Sequence, residues 1–156
     1  MPLLDSSSPF LLSLGGSQII EINFPIEFLV EGTPVSLQAK RSASLVEWRD
    51  RVKGASTHAI PSPHFASDER MAVTVYYFPA ERMQGDIDNI VKPILDALCR
   101  HIYIDDNQVE RIVVQKFEPR NVYTFSAPTS TLAQALDARP PMVYVKISTD
   151  PHEELV

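Results

Sequence analysis

Residues 85–98 read GDIDNIVKPILDAL, and residues 103–109 read YIDDNQV. In the first segment apolar residues recur at the spacing of one helical face; they are Ile90, Val91, Ile94, Leu95 and Leu98. Pro93 is tolerated in a first helical turn, where its missing N–H costs little, so the pattern predicts a helix from about residue 89 to residue 100. A strand is predicted next, at residues 109–117, and this helix–strand unit decides the fold.

The segments around this unit predict further strands and helices in alternation. Strands are predicted at three more places, residues 18–30, 71–78 and 142–148. Pro25 divides the first of them into two short strands or an edge strand with a bulge. Helices are predicted from Ser44 to about Lys53, closed by Gly54, and between Ser130 and Ala138. This order of elements predicts an α+β fold, with a single mixed β-sheet packed with a few helices.

The length of 156 residues suits one domain with a single core. We place that domain at residues 17–150, between a flexible N-terminal arm at residues 1–16 and a C-terminal tail at residues 151–156. No apolar run approaches the roughly 20 residues that span a bilayer, and the start of the chain lacks the basic leader of a signal peptide. The single cysteine, Cys99, excludes an intrachain disulfide, so we expect a cytoplasmic protein without a membrane partner.

The net charge of −6 is unusual for a nucleic-acid-binding protein, because such proteins commonly carry a basic surplus. The charge is unevenly distributed, however, since residues 40–53 hold five basic residues against two acidic ones. Carboxylates gathered at a metal site are also neutralised once cations bind. The basic segment is therefore the candidate surface for contacts to a DNA backbone, through Lys40, Arg41, Arg49 and Lys53.

Acidic residues and one lysine are concentrated around the predicted helix. Asp86 and Asp88 are two residues apart just before it, and carboxylates on one side of an extended segment repel each other unless a cation separates them. Lys92 and Asp96 continue the polar face of the helix at successive steps of four residues. A second acidic pair, residues 105–106, lies at the start of the next strand, where one of its carboxylates reaches the first pair if the strand packs beside the helix.

Three convergent carboxylates and a lysine suit the metal-assisted cleavage of a phosphodiester. A divalent cation lowers the pKa of a bound water and offsets charge on the phosphate, and a lysine stabilises the same developing charge. Structural roles stay open beside this one. Asp88 alone is a reasonable helix N-cap, the residues Asp88, Lys92 and Asp96 form a reasonable solvated charge ladder, and residues 105–107 are typical of a turn.

The spaced pattern D-x-D-N-x-x-K-x-x-x-D-A-L, followed in the next segment by D-D-x-Q-V, resembles the RusA family of Holliday junction resolvases. Residues 32–36, GTPVS, are more weakly similar to the early G-x-P-V-S turn of that family. The resemblance implies a RusA-like fold and a homodimer that acts in DNA recombination and repair. It also implies Mg²⁺-dependent nicking of paired strands at four-way DNA junctions, with Mn²⁺ as a substitute.

Carried over by position, the resemblance implies that Asp86, Asp88 and Asp106 are catalytic metal-binding carboxylates and that Lys92 is the catalytic lysine. It implies supporting positions as well; these are Asn89, Asp96, Asp105 and Gln108. We expect Asn89 to brace the loop and Asp96 to hold Lys92 in place.

Two departures from the family pattern keep alternatives open. Residues 81–85 lack the basic run that some members carry there, and residues 118–141 are longer than a compact version needs. One alternative is a non-cleaving module of the same fold that binds branched DNA or a protein partner, and another is a nuclease for flaps or RNA. Outside the motif, His101 is expected to cap the C-terminus of the helix, and Trp48 to lie in the core.

Overall fold

The computed structural model describes residues 12–14 and 17–153 of the chain. Strand β1 (Leu12–Leu14) pairs with strand β2 (Ser17–Ile19) as an antiparallel hairpin. The flexible arm predicted at residues 1–16 is therefore paired where it is described, and its other residues lie outside the described part. The last three residues of the predicted tail also lie outside it.

Four strands form one mixed sheet: β3 (Ile26–Glu31), β4 (Met71–Phe78), β5 (Val109–Lys116) and β6 (Met142–Ser148). Their order across the sheet is β3-β6-β4-β5, in which β4 and β5 are parallel and the other neighbours are antiparallel. The strand predicted at residues 18–30 is divided into β2 and β3, which lie on either side of Pro25, so the first of the two predicted arrangements, two short strands, is the one observed. The single mixed sheet confirms the predicted α+β fold.

Within residues 12–14 and 17–153, three α-helices accompany the sheet: α1 (Ser42–Ser56), α2 (Val91–Leu98) and α3 (Ser130–Asp137). Short 3-10 turns follow α1 at Thr57–Ala59, precede α2 at Ile87–Ile90 and precede β5 at Asp106–Gln108. Pro93 lies in the first turn of α2, where proline is tolerated. Among the described residues, no helix is both long and apolar enough to cross a membrane.

The predicted ends of α1 were wrong. The helix begins two residues before Ser44, after Arg41, whose side chain provides no capping hydrogen bond. It also continues through Gly54, although glycine in a helix costs about 1 kcal/mol relative to alanine. The continuation buries Ser56 completely, one turn beyond the fully buried Val52, so packing outweighs the local preference.

The two faces of β4 separate the core into two parts. Met71, Val73, Val75 and Tyr77 face a large cluster that includes residues of α1 and α2. On the opposite face of β4, side chains contact a smaller and more aromatic cluster that includes residues of α3. Trp48 is 3% exposed in the large cluster, which confirms its prediction as a core residue.

Candidate functional site

The polar edge of α2 holds an ion-pair network. The ammonium nitrogen of Lys92 donates to Oδ1 of Asp96, one helical turn away, as the spacing of these residues predicts. The other oxygen of Asp96 accepts a hydrogen bond from Nη2 of Arg49 at 3.2 Å. Since Arg49 belongs to α1, which packs against α2, Asp96 joins the basic helix to the lysine.

Asp106 is the second carboxylate that Lys92 contacts. Its Oδ2 lies 2.6 Å from the ammonium nitrogen of Lys92. The hydroxyl of Tyr103 donates to the backbone oxygen of Leu95 at 2.8 Å and lies 3.5 Å from Oδ1 of Asp106. Lys92 therefore holds together a carboxylate of α2 and one from the turn before β5.

The electrostatics of this cluster keep Lys92 charged. Hydrogen bonds from its ammonium to Asp106 and to Asp96 raise the pKa of Lys92 well above its ordinary value. The fully buried Tyr103 has a pKa raised chiefly by burial and then by the nearby Asp106 carboxylate, so its phenol stays protonated. The cluster offers a permanent cation and a neutral phenol beside Asp106.

A capping box orients the turn that carries Asp106. Oδ1 of Asp105 accepts from the backbone N–H of Asn107 at 2.9 Å, and Oε1 of Gln108 accepts from the N–H groups of Ile104 and Asp105, each at 2.8 Å. The amide nitrogen of Gln108 donates to the carbonyls of Ser67 and Glu69, each at 2.8 Å. Asp105 and Gln108 thus fix the turn to the strand entry beside it.

Asp86 and Asp88 lie at the N-terminal end of α2, just before and within the 3-10 turn that leads into the helix. Both are exposed, and neither side chain forms a hydrogen bond or ion pair within residues 19–153. The backbone oxygen of Asn89 accepts from the N–H of Leu37 at 3.0 Å, so Asn89 braces the turn at residues 33–38 through its main chain. Two free carboxylates thus project from an anchored segment.

The predicted metal ligands fit a hard cation by their chemistry, because carboxylate oxygens are the ligands that Mg²⁺ prefers. Their positions in the structure, however, do not yet form a metal site. Within residues 12–14 and 17–153, no three Asp, Glu, His or Cys side chains are grouped to hold a metal ion. Asp106 is instead engaged by Lys92, and its convergence with Asp86 and Asp88 stays a prediction.

The four basic residues predicted to contact DNA divide into two kinds. Lys40, Arg41 and Lys53 have exposed side chains, and none of these side chains forms an ion pair within the described residues. Arg49 is half-buried and engaged with Asp96. Sequence patterns did not indicate this contact or the role of Tyr103, because both depend on how α1 and the turn after α2 pack against the helix.

The prediction for His101 was wrong. The residue is 8% exposed, and its Nε2 lies 2.9 Å from the hydroxyl of Ser56 in α1. That hydroxyl donates to the carbonyl of Lys53, so Nε2 of His101 donates to it. His64 donates to the backbone oxygen of His101 at 2.9 Å. The side chain of His101 therefore ties α1 to the turn after α2 and does not cap α2, whereas its backbone N–H donates to the carbonyl of Leu98 at the end of the helix, at 3.1 Å.

Burial of His101 predicts a pH-dependent stability. Burial, with nearby His64 and Lys53, lowers the pKa of His101 from 6.5 to about 4. Between pH 6.5 and about pH 4 the unfolded chain binds more protons than the folded chain. The free energy of unfolding therefore rises with pH across this range, by up to about 3 kcal/mol. In urea titrations, His101→Gln should remove this part of the pH dependence. His58→Gln, at an exposed position, is the matched control, and an unchanged pH dependence in His101→Gln would contradict the assignment.

Comparison with known proteins places these contacts in a family. A protein-family model, endodeoxyribonuclease RusA, matches residues 31–124, more than half of the chain. The match begins at the end of β3 and includes α1, β4, α2 and β5, and with them every residue of the ion-pair network. A search of curated proteins found no match. The chain belongs to the RusA family of endodeoxyribonucleases, which act on branched DNA junctions.

Proposed function

We propose that this protein is a Mg²⁺-dependent endonuclease that resolves Holliday junctions by paired nicking, in DNA recombination and repair. The observation that carries the proposal is the position of Lys92, held between Asp96 and Asp106 inside the segment that the family model matches. An ammonium fixed by two carboxylates and kept charged is well suited to stabilise negative charge on a phosphate. The single cysteine supports a cytoplasmic location.

The residues have distinct roles in the proposed reaction. Asp86, Asp88 and Asp106 would hold the divalent cation, for which Mn²⁺ is a substitute. When bound, that cation would supply a Lewis acid for the phosphodiester and a water of lowered pKa. Lys92 would stabilise the negative charge that develops on the scissile phosphate. Asp96 positions Lys92.

Other residues keep these groups in place. Asp105 and Gln108 hold the turn that carries Asp106, through the capping box and the carbonyls beyond it. Asn89 anchors the segment of Asp86 and Asp88 through its main chain. A catalytic group held by such secondary contacts loses less entropy when the substrate binds.

The basic segment of residues 40–53, which includes most of α1, suits the DNA backbone. Lys40, Arg41 and Lys53 are exposed cations, whose binding to phosphates releases counterions. Arg49 contributes through its contact with Asp96, the carboxylate that also pairs with Lys92. We propose that the protein is a homodimer, because two opposed cuts at a four-way junction need two equivalent sites.

A second candidate function is a non-cleaving module that binds branched DNA or a protein partner. The observation that favours it is the absence, within residues 12–14 and 17–153, of three grouped carboxylates ready to hold a metal ion. The acidic net charge favours the protein partner over DNA as the ligand of such a module, since it weakens attraction for phosphates.

The two functions differ in a nicking assay. Purified protein with Mg²⁺ and an end-labelled four-way junction should give paired nicks, and chelation by EDTA should reduce them below detection because no cation then offsets the carboxylates. Flap and RNA substrates at the same salt concentration serve as controls for junction selectivity. Junction binding without nicks in either Mg²⁺ or Mn²⁺ would contradict the proposal and favour the binding module. Faster cutting of flaps or RNA would assign a different substrate.

A further inference from the structure

A pocket of about 310 Å³ lies directly beside Asp86. Its floor is apolar and buried, and consists of Pro34, Tyr77 and Ile90. Its rim is mainly the segment of residues 80–86, which is exposed except for the half-buried Met83 and ends at Asp86 itself. Pockets that bury small organic molecules begin at about 300 Å³, so this one suits a group of modest size.

The walls of the pocket are fixed relative to the carboxylates. Thr33 and Tyr77 line the pocket together, and burial raises the pKa of Tyr77 whereas the neighbouring Thr33 side chain lowers it. The same turn is joined to Asn89 by the hydrogen bond from the N–H of Leu37. Gly85, with a φ of +81°, adopts a backbone conformation that other residues rarely accept, just before Asp86. A group inside the pocket is therefore held at a defined place next to Asp86.

The charge of the rim decides which group fits. Two carboxylates, Glu81 and Asp86, outnumber the single guanidinium of Arg82, which disfavours a phosphate inside the pocket. The side-chain amide of Gln84 has no hydrogen-bond partner within residues 19–153 and offers both a donor and acceptors. A neutral, flat group with polar edges matches an apolar floor with such a rim.

We propose that this pocket receives one unstacked nucleobase of the DNA strand that is cut. The inference rests on the proposed function, because it takes the strand at Asp86 to be the substrate. Enzymes that extract a base bind it in a closely fitting pocket, with apolar and aromatic contacts to its faces and hydrogen bonds to its polar edge. The apolar floor and Gln84 supply these two elements here, and a base lodged beside Asp86 would set the position of the adjoining phosphate.

The test uses junctions that carry 2-aminopurine at single positions near the nick, since its fluorescence rises when the base leaves the stack. With Ca²⁺ replacing Mg²⁺, the wild-type complex should show a several-fold rise at one position. Ala80→Trp places an indole at the exposed rim and should remove the rise. Ala127→Trp, the same change at an exposed residue outside the pocket, should retain it.

Gln84→Ala gives a second measurement that does not depend on a bulky side chain. The ratio of nicking rates between the best and worst base at that position should fall from about tenfold or more to near one, because a hydrogen-bonding partner is lost. Gln38→Ala, at another exposed glutamine, should leave the ratio unchanged.

The outcomes distinguish the pocket from the proposed function. Wild-type protein that nicks junctions without a fluorescence rise at any position overturns the pocket alone, as does a rise that survives Ala80→Trp. A rise in a complex that does not nick in Mg²⁺ supports the pocket and overturns the cleavage function. Protein that neither binds nor nicks the junction overturns both.

Discussion

Replacement of Asp88 by Asn should lower the rate of junction nicking by about 1,000-fold or more and leave junction binding intact. The expected loss follows from the proposed role of this carboxylate as a ligand of the cation, which contributes several kcal/mol to the transition state, with each 1.36 kcal/mol equal to about tenfold in rate. Asparagine has the same shape as aspartate but lacks its charge. Because Asp88 is exposed and has no partner within residues 19–153, the substitution breaks no described contact.

The measurement combines single-turnover nicking with binding at one salt concentration. Binding should be unchanged or slightly tighter, since a negative charge is removed from a surface that meets phosphates. Asp137→Asn is the matched control, because Asp137 is an exposed carboxylate at the end of α3, on the opposite face of the sheet from α2. Nicking by the Asp88 variant within tenfold of the wild-type rate would refute the assignment of this residue.

The residue pattern around α2 predicted much of this site, for a physical reason. Helix periodicity places Ile94 and Leu98 in the core, and both have no exposed surface. The same periodicity places Lys92 and Asp96 one turn apart, so their contact follows from local geometry. Contacts within one helix depend on the sequence spacing alone, and such contacts are predictable.

Contacts between distant segments were not predictable in this way. Arg49 reaches Asp96 across 47 positions, and His101 reaches Ser56 across 45, because α1 packs against α2. The prediction that His101 caps a helix considered only its neighbours in the chain, whereas the buried hydroxyl of α1 determines its environment. The predicted C-terminal end of α1 was wrong for the same reason, since burial of Ser56 extends the helix past Gly54.

The relation of Asp106 to the other two carboxylates depends on a competition that spacing does not reveal. Asp106 is near the helix, as expected for a turn that leads into β5, but its charge is already balanced by Lys92 at 2.6 Å. The pair Asp86 and Asp88 has no such cation within the described residues. A divalent cation shared by all three carboxylates would have to compete with the Lys92 ammonium for Asp106. Lys92 therefore has two effects on the site: it supplies a positive charge, and it competes with the metal ion for Asp106.

This double role makes Lys92→Met the second change with a large expected effect. Loss of the ammonium should lower the nicking rate by about 100- to 1,000-fold, the usual consequence of removing one group that stabilises transition-state charge. The free energy of unfolding should change by less than about 1 kcal/mol, because the Lys92 side chain is 47% exposed and exposed ion pairs contribute little. Single-turnover nicking and urea unfolding of the same variant measure the two effects.

Lys116→Met is the matched control for this substitution. Lys116 is a lysine of similar exposure, 41%, that pairs with Glu118 at 2.8 Å, so its loss removes an equivalent ion pair outside the network of Lys92. If Lys92 serves only to neutralise Asp106, its removal should free that carboxylate for the cation and lower the Mg²⁺ concentration needed for half-maximal nicking, with the maximal rate retained. A retained maximal rate would therefore contradict the catalytic role, whereas a reduced maximal rate at saturating Mg²⁺ assigns Lys92 to the reaction itself.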